Sequence, residues 1–179
     1  MPTDDLDDAV SRVHKAWKDA RDHSSEWRTE AEEAYDMIAG RQWASEDKKT
    51  LEDQQRVPTV FNFVARVLNT IVGTQVANRQ ETRFIPREMG DVQVNEVLTA
   101  ASEWVRDQCD AEDEESDAFG DLCTCGMGWT ETRLDYESDP DGTVKVERVD
   151  PFEMYWDPAA RKRNLSDARW VMQVKRISS

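Results

Sequence analysis

The chain has 179 residues, enough for one domain with a real core or one domain with a helical extension. Charged residues make up 34% of it and hydrophobic residues 38%, so the surface is polar and the core modest, while seven tryptophans argue against disorder because large rings need somewhere to pack. The formal net charge of −15 excludes a general nucleic-acid binder, which must attract phosphate rather than repel it.

The N-terminus, Met1-Pro-Thr-Asp-Asp-Leu-Asp-Asp8, is acidic and lacks a basic flank followed by an apolar run, so it is no ordinary secretory signal. Leu6, Val10, Val13, Trp17, Ala20, Ser24, Trp27, Ala31, Ala34 and Ile38 recur at spacings of four and three, one stripe of a long helix or helix pair. His23-Ser24-Ser25 is a candidate break, with Asp22 or Ser24 recapping the second segment. Ala, Ser and Trp are weak zipper residues, so docking on a larger body explains the stripe better than a coiled coil. Gly40 is a helix stop, and 44–56 after Trp43 reads as a polar linker.

Val57 before Pro58 must be extended. Thr59 or Asn62 caps the next helix, which buries Val64, Leu68, Ile71 and Val72 and ends near Asn78-Arg79. Asn62, Arg66, Asn69 and Gln75 interrupt the apolar-rich run 57–76, so it is not a membrane span. Glu81 to Arg87 predicts a short strand with Pro86 near its edge. Asp91 caps a third helix with Val94, Val97, Leu98, Ala101, Trp104 and Val105 inward. Asp110 to Asp117 holds six carboxylates in eight residues, a solvated loop or a helix N-terminus where negative charge is favourable. A helix resumes through Phe119, Leu122 and Cys123 and stops at Gly126. Strands follow near Trp129–Tyr136 and Thr143–Val149, joined at Asp139-Pro-Asp-Gly142, where proline presets one angle and glycine accepts positive φ. A final strand pattern runs from Ala168 to Ile177, and no internal repeat is visible. The fold class is α+β: several helices packed with a small, mostly antiparallel sheet.

Catalytic and metal chemistry finds little support. His14 and His23, the only histidines, point to opposite sides of a helix and cannot share a metal there. The three cysteines, Cys109, Cys123 and Cys125, form no disulfide framework and suit a reducing compartment. Cys123-Thr-Cys125 has no second pair or adjacent histidine for zinc and no neighbouring base for a nucleophile, so both read as buried small hydrophobes. The acidic run lacks the ligand alternation and central glycine of a calcium loop. Gly126-Met-Gly128 has no lysine to cradle phosphate and reads as a sharp helix-to-strand turn or a close backbone approach. Arg161-Lys-Arg163 reads as a solvated basic loop, with contact to a phosphate backbone as the alternative, and Phe152, Tyr155 and Trp156 read as core or subunit contact ahead of a stacking platform. No catalytic residue, cofactor or metal is expected.

Several segments recur together in a known family. The first is Tyr35-Asp-Met-Ile-Ala-Gly-Arg-Gln-Trp43, closing the charged N-terminal helix. Arg56-Val-Pro-Thr-Val-Phe-Asn-Phe63 leads into Val67-Leu-Asn-Thr-Ile-Val-Gly73 and Asn78-Arg79. Cys125-Gly-Met-Gly-Trp-Thr-Glu-Thr-Arg-Leu-Asp135 and Val149-Asp-Pro-Phe-Glu-Met-Tyr-Trp-Asp-Pro158 follow. No single piece is specific, but their order over about 35–170 resembles the wing region of phage portal proteins of the short-tailed type. The resemblance implies a structural subunit of a homo-oligomeric ring, usually of twelve, at one capsid vertex of the virion, assembled in the host cytoplasm. DNA passes through such a ring during packaging and ejection without sequence-specific binding. The implied partners are the large terminase subunit, coat and scaffold proteins, and tail factors, with no cofactor, no membrane and no catalytic residue.

On that reading residues 1–43 are an N-terminal helical arm, 44–57 a linker and 58–179 the wing-like body. The last strand pattern runs off the end of the chain, so the chain reads as a fragment of a longer portal. Trp17, Trp27 and Trp43 are candidate subunit-contact anchors, because tryptophan dominates interface hot spots. Arg161, Lys162 and Arg163 are candidates to meet the acidic N-terminal side of a neighbour, since ring contacts join unlike faces. Two rivals stand beside this: an acidic adaptor or nucleic-acid mimic, motivated by net charge, and a cysteine-dependent enzyme at Cys123 or Cys125.

Overall fold

The computed structural model describes residues 3–79, 81–87, 91–137 and 139–175, with side chains from Leu6 onward. The apolar stripe forms two helices, α1 (Thr3–His23) and α2 (Ser25–Ile38). Ser24 stands between them, yet helical hydrogen bonding runs through it: its N–H donates to the Ala20 carbonyl at 2.9 Å and its carbonyl accepts from Arg28 N–H at 3.0 Å. α1 and α2 are therefore nearly one long helix with a kink. Neither expected recap forms as a side-chain cap; the buried Ser24 hydroxyl donates to the Arg21 carbonyl and accepts from Arg28 Nε. α2 stops before Gly40, whose φ is +79°.

The expected linker carries a third helix, α3 (Ser45–Asp53), on which only Leu51 is even half-buried. Its stability comes from local terms, with Glu46 and Asp47 at the positive N-terminal end of its dipole. Asn62 caps α4 (Phe63–Ala77) by accepting the Ala65 N–H at 3.0 Å, and its amide donates to the Ile38 carbonyl at 2.6 Å, tying the start of α4 to the end of α2. Residues 81–87 form no strand; they run irregularly, with Phe84 N–H donating to Thr99 Oγ1 at 3.1 Å.

α5 (Val92–Gln108) and α6 (Ala111–Cys125) are joined at Cys109-Asp110, where Asp110 adopts the left-handed conformation at φ +48°. The acidic run becomes the first turns of α6, and Arg79 bonds to Glu112, Asp113 and Ser116 there while Arg106 forks onto Glu115 at 2.8 Å.

Gly126 ends α6 at φ +80°, and β1 (Trp129–Asp135) pairs antiparallel with β2 (Thr143–Val149) from Trp129 opposite Val149 to Asp135 opposite Thr143. A short 3₁₀ turn at Pro151–Glu153, capped by Asp150, leads to β3 (Met154–Trp156). β3 pairs antiparallel with β4 (Val171–Gln173), a second two-stranded sheet. β4 is shorter than the expected 168–177 strand, of which 176 and 177 lie outside the described residues. The class is α+β as expected, with two small antiparallel sheets in place of one.

The centre of the molecule is aromatic. Trp27 meets Phe152 and Trp156 at 6.1 and 5.9 Å, Tyr35 meets Phe152 at 5.7 Å, and Trp129 meets Trp156 at 6.4 Å. Phe152, Tyr155 and Trp156 thus hold α1 and α2 against the β3 segment. Among the described residues the buried apolar side chains are mostly small: Ala20, Ala31, Ala111 and Ala118, with Pro151, Val149 and Met154 beside them.

Two expected inner faces are open. On α4, Leu68 and Val72 are half-buried, but Val64 and Ile71 are exposed. On α5, Val94, Val97, Leu98, Ala101 and Trp104 face solvent, with Trp104 64% exposed, and only Val105 is partly covered. α5 packs on α6 through its other flank, beside Arg106, so the apolar stripe points outward. Cys123 is also exposed rather than buried, because it sits on the outer face of α6.

Candidate assembly surface

Three polar devices hold the surface-bearing elements in place. The first centres on Asp121, a buried carboxylate of α6. It accepts the Tyr35 hydroxyl at 2.7 Å and Arg148 Nη2 at 2.9 Å, with Arg148 Nε on its other oxygen. α2, α6 and β2 therefore meet at one charge, which burial permits only because it is paired and hydrogen-bonded. Burial, then the bond to Asp121, pushes the Tyr35 hydroxyl up; the bond to Asp121 holds the Arg148 guanidinium above its ordinary range. The second is Arg28, which stacks 4.1 Å over Tyr155 and donates to the Phe152 and Met154 carbonyls at 2.7 and 2.8 Å. Burial lowers its pKa.

The third device shapes the basic loop. Asp157, 1% exposed, accepts Ala159 N–H at 3.0 Å and Arg169 Nε at 2.6 Å, clamping the two ends of loop 157–170. Its carboxyl is held down to about 2, by Arg169 first and the Ala159 N–H next. Inside the loop Asp167 accepts the backbone N–H groups of Arg161 and Lys162 at 2.8 and 3.2 Å. That leaves the Arg161, Lys162 and Arg163 side chains exposed and, among the described residues, without an ion pair.

The three candidate tryptophans are not brought together. Trp27 is half-buried and turned inward: its Nε1 donates to the Cys125 carbonyl at 2.8 Å and its ring belongs to the aromatic centre. Trp17 packs edge-on to Tyr155 at 6.1 Å, with Arg21 over its ring. Trp43 is exposed and donates to the Thr59 carbonyl at 3.3 Å. Asp121, Arg28 and Asp157 escaped sequence reading; the only sequence hint was a charged residue beside an apolar stripe or next to proline.

In this arrangement the buried carboxylates Asp121 and Asp157 are held by fixed arginine partners, and the open surface carries apolar stripes among charged side chains, most of them acidic. Among the described residues no group of three metal-ligating side chains is assembled, and no helix is long and apolar enough to cross a membrane. A family model described as phage P22-like portal protein matches residues 14–179.

The chain belongs to the phage P22-like portal protein family. A search of curated proteins finds no match. The match spans α2 to α6, both sheets and the second half of α1, whose first half, residues 3–13, lies outside it. Portal proteins are structural components of the phage particle, and the family implies oligomeric assembly.

Proposed function

We infer that this portal-family chain forms the wing-like body of a portal subunit, which packs beside copies of itself in a ring through which DNA enters and leaves the capsid. The match over 14–179 carries this reading. Twelve copies are the number the resemblance implies, at the portal vertex of the virion after assembly in the host cytoplasm. The large terminase subunit, coat and scaffold proteins, and tail factors are the proposed partners. DNA meets a wall of like charge and slides without being held.

Exposed area supports the reading. The chain exposes 14202 Å², whereas a compact monomer of 20.7 kDa exposes ~8,900 Å². The excess of roughly 5,000 Å² is on the scale of obligate interfaces. Trp43 and the loop side chains Arg161, Lys162 and Arg163 are proposed contact residues, the loop meeting the acidic N-terminal side of a neighbour.

Electron microscopy of the protein produced from its complete gene tests this. Rings with a central hole are the expected result. Discrete monomers at every concentration would remove the reading.

A further inference from the structure

An uncovered ridge and an uncovered groove lie on the same chain. From Leu6 to Lys15 every residue of α1 except Ala9 is exposed, so the stripe that is buried at Ala20 runs out past the body. Its free end carries Leu6, Val10 and Val13, 65, 60 and 59% exposed, at the i, i+4, i+7 spacing of a helix that docks in a groove. The groove, about 430 Å³, opens between α2, α4 and α6 and is lined by Met37, Phe63, Val64, Val67, Ile71 and Cys123, without a charged side chain.

The two match in length and chemistry. Leu6 to Val13 spans roughly 10 Å and Phe63 to Ile71 roughly 12 Å at the helical rise. The α5 stripe, Val94 to Trp104, is longer than the groove at roughly 15 Å. The arm cannot fill its own groove. Because hydrogen bonding continues through Ser24, Val10 and the groove-lining Ala34 stand at opposite ends of nearly one helix, roughly 35 Å apart along it.

We propose that the free end of α1, through Leu6, Val10 and Val13, docks in the α2–α4–α6 groove of a second copy of this chain. A ridge at one end and a groove at the other make a head-to-tail contact, the kind that closes into a ring or runs on as a filament. The excess exposed area is large enough for each subunit to make this contact twice, once as ridge and once as groove. The assignment rests on the ring-subunit reading above and adds which faces meet.

Cys123, exposed in the groove, makes the contact testable by cross-linking. Val10→Cys should give, on mild oxidation, a ladder of disulfide-linked species from dimer upward. The ladder should vanish in Val10→Cys with Cys123→Ser and be absent from the unmodified chain. Val10→Glu and Val67→Glu, both at exposed positions, should leave the fold intact by circular dichroism and weaken self-association by about tenfold or more. Absence of a Cys123-dependent ladder overturns the proposal, and so do linked species that stop at the dimer, which would mean reciprocal exchange. Unchanged self-association in Val67→Glu gives the groove to a different partner and also overturns it. Micrographs separate the two readings: rings without the ladder keep the ring and refute this contact, whereas a ladder without closed rings keeps the contact and refutes the ring.

Discussion

At the scale of single residues, the buried Asp121 carboxylate sets the tolerance of this fold. It is shared by Tyr35 and Arg148, so removing either leaves charge or lone pairs short of partners. Arg148→Ala should lower stability by about 2 kcal/mol, less than the loss at a fully buried pair because the Arg148 side chain is about a third exposed and solvent screens it. Tyr35→Phe should cost about 1 kcal/mol, a single hydrogen bond. Urea midpoints of the two variants and their double would read both losses, and the double should cost less than the sum because one carboxylate serves both. Two glycines give a sharper contrast. A Cβ at Gly128 would sit 2.1 Å from the Ala118 carbonyl oxygen, whereas one at Gly126 would meet nothing, although φ is +80°. Gly128→Ala should therefore destabilise by about 3 kcal/mol through a clash with rigid backbone. Gly126→Ala should lose about 1 kcal/mol from backbone conformation alone. Equal losses in thermal or urea unfolding would refute the close approach of α6 to the hairpin.

At the scale of elements, the β3–β4 ladder depends on a clamp and not on its own length. Each strand has three residues, and the loop between them is closed at its base by Asp157. That carboxyl titrates at about 2 in the fold against an ordinary 3.8, so its contribution is complete above about pH 4 and is lost as pH falls toward 2. Urea midpoints measured across that window should fall more steeply in the parent chain than in Asp157→Asn, which has no charge to lose. The clamp also explains what the sequence left hidden. The β1–β2 hairpin was legible because alternation and the Asp139-Pro-Asp-Gly142 turn are local signals, and Gly40 and Gly126 marked helix ends for the same reason. The partner of β4 was not legible, since Met154–Trp156 is too short to show alternation and pairs across a long loop. α3 was missed because it has no apolar stripe to detect; local helical preferences suffice. The 81–87 segment reads as a short strand but pairs with no edge among the described residues. On α5 the stripe itself was legible, but periodicity reports that a face is apolar and not what covers it. The same limit applied to the assembly surface. Arg161 to Arg163 could be read as solvated, whereas the groove between α2, α4 and α6 is assembled from three separate segments and had no linear signature.

At the scale of the whole molecule, this chain exposes more surface than a compact monomer of its mass would, and the proposed self-association would cover part of it. Stability gained by association depends on concentration, because binding to the folded state alone shifts the unfolding equilibrium. A tenfold dilution removes about 1.4 kcal/mol per subunit contact, which for a chain of this size lowers the melting temperature by roughly 3–5 °C. Calorimetry across a dilution series should show that slope, and a melting temperature independent of concentration would deny that self-association stabilises the fold. Salt then separates the two proposed contacts. Copies of this chain, each of net charge −15, repel one another, and added salt screens that repulsion. If apolar docking of α1 dominates, raising ionic strength should strengthen assembly. If pairing of the Arg161–Arg163 loop with an acidic neighbour dominates, the same salt should weaken it. Reversing the charge of Arg161, Lys162 and Arg163 sharpens the choice. Assembly lost at low salt and recovered at high salt assigns the loop a steering role beside an apolar contact, whereas loss at every ionic strength makes the loop itself the main contact. Sedimentation of parent and variant over a salt series reads both outcomes directly.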